Sequence, residues 1–92
     1  MRRVCILVRM PLFMDIHTLP GPVGAADAAQ AHQADLNTQG AYGVNYMRYW
    51  VDEANGKIFC LVDARDAEAA ATVHREAHGL VADEIYKVAE GV

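Results

Sequence analysis

A chain of 92 residues with a formal net charge of −4 and 53% apolar side chains has the composition of one ordered globular domain and not of a disordered segment. Its acidic balance, with no basic run longer than Arg2-Arg3, makes nucleic acid and anionic membranes poor partners. No apolar stretch reaches membrane-spanning length, serine nucleophiles are excluded because the chain has no serine, and Cys5 and Cys60, without CxxC spacing, suit a reducing cytoplasm.

Residues 1–9 combine a basic start with an apolar run too short for a secretory leader. They are expected to form an extension, as a tail or a fifth strand, ahead of a single domain over residues 10–92. Leu12, Met14 and Ile16 then alternate with Phe13, Asp15 and His17, the period of a strand. Leu19-Pro20-Gly21-Pro22 stops that strand and leads into a helix from about Gly24 to Gln39, closed by Gly40 and Gly43. Val44 to Val51 and Lys57 to Ala64 read as strands, and the Asn55-Gly56 pair between them signals a hairpin. Asp66 is the expected N-cap of a second helix that ends at His78, with Gly79 as its left-handed terminus. A last strand runs from about Asp83 to Val88. The order β-α-β-β-α-β predicts an α+β, ferredoxin-like sandwich: a four-stranded antiparallel sheet with both helices on one face.

Both helices carry the pattern A-x-x-A-A-x-x-H, at Ala25, Ala28, Ala29 and His32 and again at Ala67, Ala70, Ala71 and His74. At about 100° per residue, each set falls on one narrow face and directs its histidine toward the core. Alanine permits close helix approach, whereas a buried imidazole needs a partner. Asp15 shares the strand face of His17, His32 and Asp35 are three apart on the first helix, and His74 and His78 are i,i+4 neighbours able to share a cation. Topology brings His17, His78 and the Asp83-Glu84 pair to the same edge. Helical wheels leave His17, His78 and Asp35 the easiest of these groups to expose. Imidazole and carboxylate donors suit a divalent transition metal, so His17, His78, His32, His74, Asp15 and Asp35 are the candidate ligands. Neutral imidazoles are required, which predicts weaker binding below about pH 6.

Other motifs are absent or ordinary. His74-Arg75-Glu76-Ala77-His78 lacks the Glu beside a His that helical zinc proteases need, and Gly21 and Gly24 do not form a phosphate loop. Tyr42, Tyr46, Tyr49, Trp50 and Phe59 read as core, sheet face or interface before ligand wall, and Cys60 reads as a small buried hydrophobe.

Met10-Pro11-Leu12-Phe13-Met14-Asp15 with His17, then Tyr42-Gly43-Val44, Tyr49-Trp50, Phe59-Cys60-Leu61-Val62 and above all His74-Arg75-Glu76-Ala77-His78-Gly79-Leu80 resemble the small nickel-binding proteins of ferredoxin-like fold. The resemblance extends from about Met10 to Val88, and the His74 to Leu80 block is its most specific part. It implies a homodimer that binds nickel ions for sequestration or storage. The residues alone leave a second reading open, a cyclase, isomerase or cofactor-free oxygenase that uses His/Asp acid–base chemistry on a small molecule held between sheet and helices. They leave a third as well, an interaction module whose histidines are all engaged in the core.

Overall fold

The computed structural model describes residues 10–91; the expected extension over residues 1–9 lies outside them. The elements follow the expected order, with β1 Leu12–Thr18, α1 Ala25–Thr38, β2 Asn45–Asp52, β3 Lys57–Asp63, α2 Ala67–Ala77 and β4 Glu84–Val88. A short 3-10 turn, Gln39–Tyr42, extends α1, and Gly43 rather than Gly40 supplies the left-handed residue that ends it, at φ 63°. The sheet order is β2-β3-β1-β4 with all neighbours antiparallel, so the fold is the α+β ferredoxin-like arrangement. No helix among the described residues is long and apolar enough to cross a membrane.

Distant parts of the chain fix the helix ends. Asp66 Oδ1 accepts the Ala69 N–H at 2.8 Å, the cap expected from sequence. Gly24 offers α1 no side chain, and the Ala25 N–H instead donates to Glu53 Oε2 of the β2–β3 hairpin at 3.1 Å. The same hairpin holds the β1–α1 loop, because the Leu19 N–H donates to the Gly56 carbonyl at 2.8 Å and the Val23 N–H to the Glu53 carbonyl at 3.1 Å.

Side chains alternate across the strands. Phe13, Asp15 and His17 of β1 and Ile58, Cys60 and Val62 of β3 face the helices and are buried. The core around them includes Val44, Tyr46, Ala69, Ala70 and Val73. On the opposite face, cross-strand register aligns Trp50, Phe59, Ile16 and Glu84 in one row and Arg48, Leu61, Met14 and Tyr86 in the next. This outer face is therefore mostly apolar, and Trp50 and Tyr86 are exposed on it. Strand β2 reaches both faces through a bulge between Tyr46 and Arg48. Met47 is the extra residue, so Tyr46 and Tyr49 turn toward the helices while Arg48 and Trp50 turn outward.

Candidate metal centre

Strand β1 presents Asp15 and His17 to the helices, and register sets Cys60 of β3 directly opposite Asp15. Helix α2 places His74 above them, and α1 contributes Asp35 from the other side; all four groups from β1 and the helices are buried, with Asp15 and His74 each 1% exposed. Small side chains at the helix–sheet contact make this possible, since Ala28 of α1 and Ala69 and Ala70 of α2 bury almost no bulk there, although Ala25 and Ala29 of the α1 alanine pattern are exposed rather than inward.

His74 bridges two carboxylates. Its Nε2 lies 2.9 Å from Asp15 Oδ2 and its Nδ1 2.9 Å from Asp35 Oδ1. An ionised carboxylate has no proton to give, so both ring nitrogens donate and the ring is an imidazolium. Burial opposes that charge, but hydrogen bonds and charge from Asp15 and Asp35 outweigh it and push His74 up to about 9. Burial would likewise raise Asp15, yet His17 and His74 hold its carboxyl well below the usual range. Asp35 is lowered too, because the His74 and His78 rings outweigh its desolvation.

The contacts of His17 cannot all be favourable at once. Its Nε2 stands 3.2 Å from His74 Nε2 and 3.4 Å from Asp15 Oδ1. Carrying a proton, His17 Nε2 meets the N–H of His74 head on. Without one, it sets a lone pair against the carboxylate oxygen, and Asp15 Oδ1 is indeed buried with no hydrogen-bond partner among the described residues. Donor atoms bound to one cation at about 2.0–2.2 Å stand about 3 Å apart at adjacent coordination positions, which is the spacing found here.

Sequence-expected residues outside this triangle take other places. His78 Nε2 is 3.0 Å from Asp35 Oδ1 but out of line for a hydrogen bond, while its Nδ1 accepts the Leu80 N–H at 3.1 Å. The His74 and His78 rings are 5.0 Å apart, as their spacing implied. His32 is half-buried, packs on Tyr49 at 4.6 Å and has a buried Nδ1 without a partner among the described residues; burial lowers its pKa. All four histidines and Asp35 line one cavity of about 20 Å³, room for roughly one water molecule.

One expectation is corrected. His17 and Asp35 are not easily exposed, at 5% and 2%, because His17 lies under His74 of α2 and Asp35 is held between α1 and α2 by its bond to His74. Asp83 lies at the edge of β1 beside His17, as expected, where its Oδ2 accepts the Thr18 N–H at 2.6 Å, and Glu84 Oε2 accepts from the Tyr86 hydroxyl at 2.6 Å.

Two members of the site were read in the sequence as core. The Tyr46 hydroxyl lies 2.9 Å from Asp15 Oδ2 and 3.1 Å from the Ala70 carbonyl, and burial with the Asp15 charge keeps it firmly protonated. Cys60 is buried and unpaired, and burial followed by Asp15 raises its thiol well above the ordinary range. Among the described residues, two groups bring ligand atoms within 4.8 Å of one another: Asp15, His17, Cys60 and His74, and Asp35, His74 and His78.

A ferredoxin-like domain with buried imidazole, carboxylate and thiol groups converging beside an ion-sized cavity falls in the class of small α+β proteins with a candidate metal centre. Over residues 13–88 the chain matches the family described as nickel responsive protein SCO4226-like. Its structure is similar to the crystal structure of SCO4226 from Streptomyces coelicolor A3(2), with a TM-score of 0.82 and 38% identity, covering 88% of this chain and 99% of that one. The chain belongs to the SCO4226-like family. A search of curated proteins gave no match.

Proposed function

We propose that this protein binds a divalent transition metal, nickel foremost, for sequestration or storage in the cytoplasm, with Asp15, His17 and His74 as ligands. The observation that carries this reading is the unresolved triangle around His17 Nε2. A cation accepts lone pairs from Asp15 Oδ1, His17 Nε2 and His74 Nε2 together, and removes both the head-on contact and the orphaned oxygen. Asp35 then keeps its bond to His74 Nδ1–H and fixes the ring for coordination through Nε2, a carboxylate–histidine–metal relay. Tyr46 holds the other oxygen of Asp15 in the same outer role. His78 and His32 line the approach from the cavity. The family's nickel-responsive description favours nickel, and the cavity volume favours an ion over an organic substrate.

The outer sheet face supports a homodimer. A two-fold axis along the strands lays β2 of one copy over β4 of the other, stacking the central Phe59, Ile16, Leu61 and Met14 and bringing Arg48 against the Tyr86-Glu84 pair.

Calorimetric titration of the metal-free protein with nickel tests the site. His17→Ala and Asp15→Asn are each expected to weaken binding at least tenfold, about 1.4 kcal/mol, with circular dichroism confirming a folded chain. Unchanged affinity in the double variant would remove these residues from the site.

A further inference from the structure

Resting on that reading of the site, we propose that Cys60 is a fourth ligand of the same ion, bound as thiolate, so that the centre is a mixed sulfur, nitrogen and oxygen site. Cys60 is the cross-strand partner of Asp15 on the helix-facing side of the sheet, and its Sγ lies within 4.8 Å of ligand atoms of Asp15, His17 and His74. Ligands on opposite sides of one ion, with bonds of about 2.3 Å to sulfur and about 2.1 Å to nitrogen, stand about 4.4 Å apart. Small side-chain adjustments close the remaining distance.

Charge is compatible with the thiolate. With Asp15, His17 and His74 alone as ligands, a divalent ion carries a net +1 where every ligand is at most 5% exposed, offset only from beyond His74 by the Asp35 carboxylate. A Cys60 thiolate places the second negative charge on the ion itself. In the exchange the ion forms its bond to Sγ, the S–H proton leaves for solvent, and no electron is transferred. An ordinary core cysteine needs only apolar neighbours, whereas this one faces a carboxylate with a buried, unpartnered oxygen. A thiolate also shifts preference toward nickel, cobalt, zinc and copper and away from magnesium, calcium and manganese.

The test uses Cys5→Ser protein, in which Cys60 is the sole thiol. One equivalent of nickel is expected to produce a near-ultraviolet sulfur-to-nickel charge-transfer band, and X-ray absorption is expected to show a sulfur scatterer at about 2.3 Å. Adding Cys60→Ser should abolish the band and weaken nickel at least tenfold, and excess manganese should not displace nickel from the parent. Calorimetric nickel binding without band or sulfur scatterer overturns the thiolate and leaves the His/Asp site standing. Absence of binding overturns both. Because the spectra of the Cys5→Ser protein decide the matter, a misfolded Cys60→Ser chain does not obstruct the test.

Discussion

At the residue scale, the proposed metal site would set an ion in competition with a proton for one atom, His74 Nε2. The His74 pKa is raised from 6.5 to about 9 by two carboxylates that outweigh its burial, so its contribution to stability is complete below about pH 6.5 and is lost as pH rises through about 9. Asp15 and Asp35 are depressed, so theirs is complete above their unfolded values near 3.8 and is lost as pH falls below that. Urea midpoints of the metal-free protein should therefore form a plateau between about pH 4.5 and 6.5 and decline on both sides. Nickel affinity should keep rising up to about pH 9, beyond the region around pH 6.5 in which free imidazoles titrate, because the ion must displace the His74 proton. A nickel affinity that is flat over that interval would count against His74 as a ligand.

At the scale of elements, the hairpin secures the loop that borders the site. Gly56 sits at φ 65°, and a Cβ there would run into the Gly21 carbonyl of the β1–α1 loop. Gly56→Ala should cost more than about 1 kcal/mol, read by chemical denaturation, and should speed amide exchange at Leu19 and Val23, whose N–H groups bond to this hairpin. The order of elements was legible because its signals are local: strand alternation in β1, the Asn55-Gly56 turn, the Asp66 cap. The inward aim of His74 was legible from the alanine pattern around it. Its meeting with Asp35 was not, since 39 residues separate them and only the close packing of α1 on α2 joins them. Cys60 lay hidden in an apolar run where a ligand and a core thiol look alike. Tyr46 lay hidden because the bulge breaks the two-residue period by which inward positions are recognised.

At the scale of the whole molecule, the sheet covers the candidate metal centre with one face and leaves an apolar face on the other. If two copies pair through it, Trp50, the single tryptophan and 46% exposed in the isolated chain, becomes buried. Its emission should shift to shorter wavelength as concentration rises, and sedimentation should give the mass of a dimer. Met14→Glu, at the centre of that face, should yield a monomer with red-shifted emission; a wild-type chain that stays monomeric at high concentration would rule the pairing out. The added residue at Met47 bears on both faces at once. It acts as a phase slip along β2: upstream of it the strand is read in one frame, downstream in the other, and each frame delivers a tyrosine indoors. Were β2 to keep Met47 but pair without the slip, strict alternation would exchange the tenants of the two sides beyond it, sending Tyr49 out to solvent and drawing Trp50 in beside the histidines, so one backbone irregularity governs which aromatic ring adjoins the candidate centre and which remains available to a neighbouring molecule.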